Sequence, residues 1–349
     1  IEESAFNNIP EAWVLYNRTF SLEKTASPRF KYFYWVSNNT FNEIDMANDL
    51  LNLIVINGLG SHQSLIKFIY NSFQRVSFEL DDTLNAIVDI DEIDTLKIIG
   101  NEFNNLEEKL KIFWLSKSNI DSSLMVFSNN LKSVNAHSFV FLKGKMIGAV
   151  NIHHNSFTKS EFTHTLISLN VEKSYDDWTF DSNRLISVTF LFNVQRIEGE
   201  RFGLLQFLNG KSVDSFQVRL TNNTFRDLNF TKDEVHESPI QLCLLVLQTK
   251  QTVNLTNNFL RGVRNFNPGN IIYMINLPSF IIKNCTFALI EYTSFTGMIS
   301  LSSASVYVSN STFDRISNDE SFGVFHLKTV LDAYTIRIKN STFIDLNIQ

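Results

Sequence analysis

Short runs in which every second residue is apolar alternate along this chain with polar bends, and one bend returns almost unchanged. Val306-Tyr307-Val308-Ser309, Ile336-Arg337-Ile338-Lys339 and Ile281-Ile282-Lys283 each lead straight into an asparagine. Alternation built from β-branched and aromatic residues predicts a strand with one buried face. After the asparagine come one or two small polar residues, a phenylalanine, and an aliphatic residue three positions later. The phrase is clearest in Asn38-Asn39-Thr40-Phe41 with Ile44, Asn222-Asn223-Thr224-Phe225 with Leu228, Asn284-Cys285-Thr286-Phe287 with Ile290, Asn310-Ser311-Thr312-Phe313 with Ile316, and Asn340-Ser341-Thr342-Phe343 with Leu346. A second apolar run lies about midway between phrases, as in Gly297-Met298-Ile299-Ser300-Leu301 and Ile271-Ile272-Tyr273-Met274-Ile275. Each unit is therefore expected to hold about three strands: one mid-repeat, one before the asparagine and one starting at the phenylalanine. The three-and-four spacing of a helix is missing throughout.

With the phenylalanine as anchor, weaker copies fall at Phe20, Phe73, Phe103, Leu131, Phe157, Val194 and Phe259, which makes twelve anchors. Eleven gaps cover the 323 residues from Phe20 to Phe343, so the mean unit is near 29 residues. Three short strands cannot pair their own backbones or bury their own apolar face. Stacked units do both, because each strand pairs with its counterpart one turn away and the inward residues merge into one core. The expectation is an all-β parallel β-helix solenoid of about 12 rungs, each about 29 residues long. Asparagine suits its bends because it tolerates the left-handed conformation and its amide bonds local backbone. Asparagines three before the anchor are expected to face solvent. Those two before it (Asn39, Asn71, Asn101, Asn155, Asn223, Asn257) are expected to turn inward and form an amide ladder beside a column of stacked phenylalanines.

The recurring asparagine corner resembles the repeats of the pectin-lyase-like superfamily of right-handed parallel β-helices, and the resemblance runs from Asn17 to Leu346. It implies a right-handed coil. It leaves activity open, since that superfamily includes polysaccharide lyases and hydrolases, tailspikes, adhesins and structural surface proteins. With 12 Gly and 32 Phe, this chain is poorer in glycine and richer in phenylalanine than the enzyme members.

An unbroken period across 349 residues argues for a single domain, 1–349, shaped as a rod about 55 Å long. A net charge of -6 with 19% charged residues leaves no basic stripe, which excludes nucleic acid as a partner. No window approaches 18 uninterrupted apolar residues, so no membrane span is expected; the strongest run, Leu242–Leu247, has a buried strand's length. No charged and apolar leader follows Ile1, and no polar cap follows the last anchor, so the expected partners are copies of the chain or further rungs of a longer one. Cys243 and Cys285 are not a whole number of rungs apart and are expected to stay unpaired.

Candidate chemistry is sparse, and no cofactor or metal is expected. The pattern Asn-x-Ser/Thr occurs at Asn17, Asn38, Asn222, Asn229, Asn254, Asn284, Asn310 and Asn340, six of them at the corner three before an anchor. These are candidate N-glycan sites. Asp89, Asp91, Glu92 and Asp94 form the densest acidic cluster, while Asp81-Asp82 and Asp176-Asp177 read as solvated turns. Arg337-Ile338-Lys339 looks like the Arg-x-Lys phrase of polygalacturonases, without that group's companion Gly-His-Gly and Asp phrases. His153-His154, adjacent in a strand, are expected to face opposite ways. The expected function is a non-catalytic structural or adhesive rod, extracellular or at a cell surface, within a fibrous or surface assembly. The alternatives are a carbohydrate-active β-helix enzyme and a sugar-binding module using Trp13, Trp35, Trp114 and Trp178.

Overall fold

The computed structural model describes residues 5–9, 15–17, 32–46, 52–56, 64–78, 86–90, 93–106, 110–115, 120–192, 201–209, 216–232, 241–248, 251–275, 277–294, 296–302, 305–318, 323–328 and 335–348. The alternating runs are strands, as their pattern dictates: Ser279–Lys283, Ser305–Ser309 and Ile336–Lys339 each lie before a corner. The midway runs are strands too, among them Ile272–Ile275 and Ile299–Ser302. Among the described residues every pairing is parallel and there is no helix. Phe280, Val306 and Ile336 share one register across three turns, and Ile272, Ile299 and Phe325 share another. The chain is an all-β parallel β-solenoid.

Each turn is bent by two left-handed residues five positions apart. Asn38 and Glu43 have φ of 55° and 54°, Asn222 and Asp227 54° and 53°, Asn310 and Arg315 49° and 50°. Between each such pair lies a short strand carrying the anchor, as in Glu102–Asn104 and Thr342–Ile344. The first corner side chain points to solvent and the next residue turns inward. Asparagine and glycine hold this conformation at low cost, yet Tyr70, His154, Arg75 and Leu289 hold it as well, at about 1 kcal/mol each. At the second corner Gly262 has φ +67°, and a Cβ there would meet the Asp227 carboxylate at 2.6 Å. Glycine takes this conformation without the strain that the other second-corner residues carry, and leaves room for that carboxylate.

The inward site after the first corner forms an amide ladder. Asn39, Asn71, Asn101, Asn129, Asn155, Asn183, Asn223 and Asn258 are each 2% exposed or less, and each Nδ2 donates to the next Oδ1 at 2.9–3.1 Å. Each backbone N–H donates to the same oxygen at 2.9–3.1 Å. The rung count differs from the expected 12 or so: the ladder-bearing body has about eight turns, and 26 to 40 residues separate one ladder asparagine from the next. The corner is fixed because amide pairing tolerates no insertion there, whereas extra residues are absorbed elsewhere in the turn. Beyond Asn258 the same corner site holds Cys285, Ser311 and Ser341. Their backbones continue the pattern through the bond from the Cys285 N–H to Ser311 Oγ (3.2 Å) and that from the Ser311 N–H to Ser341 Oγ (3.2 Å).

The anchors stack beside this ladder. Phe41, Phe73 and Phe103 lie ring over ring at 4.7 and 5.0 Å, tilted by 3° and 4°. Phe287, Phe313 and Phe343 repeat this at 4.8 Å. One strand spacing is about 4.8 Å, so rings on neighbouring turns are brought into contact by backbone pairing itself. The register corrects three anchors. Phe6 pairs with Phe41, Leu185 lies between Phe157 and Phe225, and Leu260 lies between Phe225 and Phe287. Phe20 and Val194 lie outside the described residues. Phe259 is 36% exposed. Asn257 is accordingly the outward, left-handed corner residue, not the inward one.

Candidate functional site: the outer face beside the corner

Because side chains alternate along the strand before the corner, every turn contributes two outward residues to this face. Asn151, Thr179, Arg219 and Asn254 stack in one outward column, in register over four turns. His153, Asp181, Thr221 and Thr256 stack in the next. Asn151, Thr179 and Arg219 of the first column floor an open groove of about 610 Å³. Its wall is the connection between the strands Ile167–Ser174 and Trp178–Asp181, with Tyr175, Asp176 and Asp177, and Ala149 and Phe216 complete the lining.

A network of hydrogen bonds holds that wall. The Trp178 indole, 2% exposed, donates to Ser174 Oγ at 2.7 Å, and Ser174 Oγ donates to the Asp176 carbonyl at 3.4 Å. The Tyr175 N–H donates to the Ile147 carbonyl at 3.3 Å, and the Val150 N–H to the Asp177 carbonyl at 3.2 Å. Asp177 accepts the Gln217 N–H at 2.8 Å and pairs with Arg219 at 2.8 Å. Arg219 Nε donates to Gln217 Oε1 at 3.1 Å, and the same oxygen accepts Asn254 Nδ2 at 3.2 Å. Both ion-pair partners are about two-fifths exposed, so the pair adds little stability and serves to fix direction. Asp177, a part-exposed residue of the connection, is thus also a structural partner of the next turn; Asp176 is exposed.

At the adjoining corner the histidines meet, contrary to the strand expectation. His154 takes the left-handed conformation, φ 57°, and its Nδ1 comes to 3.2 Å from His153 Nδ1. His153 also stacks on Phe127 at 4.4 Å. On the next turn Asp181 accepts hydrogen bonds from Thr221, from Asn222 Nδ2 at 2.9 Å and from Ser182 Oγ at 2.9 Å. Burial lowers the His153 pKa below the ordinary histidine range, the charge of His154 lowers it further, and Asp181 opposes both. Burial pushes the Asp181 carboxyl up, but the hydrogen bonds from Thr221, Ser182 and Asn222 and the charge of His154 outweigh it and hold the group below its ordinary value. Both groups bind protons less readily folded than unfolded, so stability falls on acidification. His153's share goes first, as pH drops through the ordinary histidine range; Asp181's goes later, as pH falls through its depressed folded value. Exchanging His154→Asn is expected to raise the His153 titration midpoint in an NMR pH series, and an unchanged midpoint contradicts the coupling.

The candidate glycan sites divide. Asn38, Asn222, Asn284, Asn310 and Asn340 occupy the first, solvent-facing corner, and all are exposed. Asn222, Asn257 and Asn284 form a short outer ladder there, each Nδ2 to the preceding Oδ1 at 3.1 Å. Asn17 is corrected: it ends the strand Leu15–Asn17 and pairs with Ile56, in the mid-repeat register. Asn229 and Asn254 lie within strands and are half-buried.

The remaining candidates do not converge. Asp81, Asp82, Asp91, Glu92 and Trp13 lie outside the described residues; Asp89 and Asp94 are half-buried. Arg337 and Lys339 are exposed on the strand Ile336–Lys339. Trp178 is interior, and the half-buried Trp114 is engaged by Phe141 at 4.4 Å and by the buried Lys111 ammonium at 3.4 Å. Trp35 lies in the strand Tyr32–Ser37, level with Lys67. Cys243 and Cys285 are buried and form no disulfide; burial raises the Cys285 pKa above the ordinary thiol range. Among the described residues no three His, Cys, Asp or Glu side chains are placed to hold a metal ion, and no helix is long and apolar enough to cross a membrane. The sequence passed over Tyr175 and the groove because their partners come from three different turns; the only local sign was a Tyr-Asp-Asp bend. No family model, no curated protein and no solved structure matches this chain.

Proposed function

We propose that this chain is a structural or adhesive rod of an extracellular or cell-surface assembly, a non-catalytic relative of pectin-lyase-like β-helices. The observation that carries the reading is the doubly bent corner with its unbroken amide ladder from Asn39 to Asn258. Successive turns are locked to one another along the axis by side chains as well as main chain. Such a body holds a fixed length, which suits spacing and presentation. Ile336 and Ile338 continue the buried columns of Val306 and Val308 yet are 57% and 49% exposed. That face is suited to pairing with a further coil, either from the same chain or from a second copy. The exposed corner asparagines are suited to N-glycans. Asn284, Asn310 and Asn340 stand on successive turns about 4.8 Å apart, so glycans on neighbouring corners would crowd one another and alternate occupancy is expected.

Electron microscopy of native material, paired with intact-glycopeptide mass spectrometry, tests this. Continuous filaments or surface spikes with sugar at corner asparagines are expected. Isolated short particles that cleave an acidic polysaccharide would replace the reading with the enzymatic one, and bare corner sites would remove its glycan part.

A further inference from the structure

We propose that the groove between Tyr175 and Arg219 binds a neutral sugar ring through a pair of vicinal hydroxyls. The inference deepens the adhesive reading above and rests on it for its purpose, though its chemistry stands on the groove alone. Three features point the same way.

The first is an aromatic wall. Tyr175 is 42% exposed, on a connection fixed by the Trp178–Ser174–Asp176 relay. An exposed ring on a fixed connection offers a flat apolar face to the C–H side of a sugar. The second is a donor and acceptor held side by side. Arg219 and Asp177 are anchored by Gln217 and by each other. Arg219 has five N–H donors, of which Nε serves Gln217 and one Nη2 hydrogen serves Asp177, so the rest of the fork remains for a ligand. The Asp177 carboxylate keeps further lone pairs. Adjacent hydroxyls, each both donor and acceptor, match such a pair, and Asn151 and Thr179 extend the polar floor along the axis. Because the partners already hold one another in place, little conformational freedom is lost on binding.

The third feature is charge. Asp176 and Asp177 face one guanidinium within the lining. A carboxylated or sulfated sugar would meet two like charges against one opposite, whereas a neutral ring pays no such penalty. The groove therefore selects against acidic polysaccharides.

The experiment uses the full chain with the methyl glycosides of glucose, galactose and mannose as neutral probes and galacturonate as the anionic one. Saturation-transfer NMR is expected to show contact with at least one neutral glycoside and with Tyr175 ring protons. Tyr175→Ala is expected to weaken binding about tenfold, the effect of losing about 1.4 kcal/mol of contact. Arg219→Lys keeps the charge but loses the fork and is expected to weaken binding as well. Tyr307→Ala, on the same outward face several turns away, is expected to change nothing, and circular dichroism of each variant confirms the fold. Silence from every neutral glycoside overturns the proposal, as does galacturonate binding equally well or a Tyr175→Ala protein that binds unchanged. Such a failure leaves filament imaging untouched, so the loss of this site is distinguishable from the loss of the rod.

Discussion

Asn155→Leu is expected to destabilise the centre of the solenoid by about 4–6 kcal/mol, because several buried polar groups lose partners worth about 1–3 kcal/mol each. Asn155 Oδ1 accepts both the Asn129 N–H (3.0 Å) and Asn129 Nδ2 (2.9 Å). Its own Nδ2 reaches the Val126 carbonyl at 3.0 Å, the His153 carbonyl at 3.1 Å and Asn183 Oδ1 at 2.9 Å. Leucine fills the space and supplies none of these. With Asn155 1% exposed, water does not replace them. Asn155→Ser is milder, at about 2 kcal/mol, since Ser311 serves at the equivalent site by donating to the Ser309 carbonyl at 2.9 Å and accepting the Cys285 N–H at 3.2 Å. Hydrogen exchange is the suitable measurement, because a solenoid loses structure turn by turn. Protection should drop in the turns carrying Asn129, Asn155 and Asn183 and persist around Phe287 and Phe313. Uniform loss along the whole chain, or none at all, contradicts the ladder's role.

Phe73→Ala is expected to cost about 3–5 kcal/mol, the range for emptying a buried phenylalanine site. Phe73 is fully buried between the rings of Phe41 at 4.7 Å and Phe103 at 5.0 Å. Parallel strand pairing fixes those two neighbours, so they cannot move in to fill the void. Phe73→Leu should cost only about 1 kcal/mol, because the same column already holds Leu131, Leu185 and Leu260. Urea unfolding of the three proteins measures the difference. An alanine variant as stable as the leucine one would mean that the column is not close-packed.

The two predictions concern the corner, which was also the most legible part of the sequence. Asn-x-Thr-Phe with an aliphatic residue three later requires an outward left-handed residue, an inward amide, an inward ring and a second inward apolar group. Val76, Leu228, Ile290 and Ile316 fill that last position, buried in every case. The misplaced anchors show which part of the phrase carries information. Phe20 sits in a good Asn-x-Thr-Phe phrase but is followed three later by Glu23, and Phe259 by Gly262. Phe6 is followed by Ile9 and Leu260 by Val263, and these two are in the stacked register. One outward bend and three inward groups define the corner, and the identity of the ring is the weakest of them.

His153 and His154 mark where local rules end. Alternation holds for residues in extended conformation, and a left-handed residue at the corner breaks it, so two side chains assigned to opposite faces come within hydrogen-bond distance. The groove lies further from reach. Asn151, Thr179 and Arg219 share a column because their strands pair in register, although 28 residues separate the first two and 40 the next two.

The sequence by itself determined the parallel coil, the inward asparagines and the stacked rings, because each is imposed by residues within one short phrase. Tertiary structure alone decided which turn lies over which, how many turns are uniform, and which outward side chains become neighbours. Turn length varies freely outside the corner, so distance along the chain carries little information about distance along the axis until the backbones have paired.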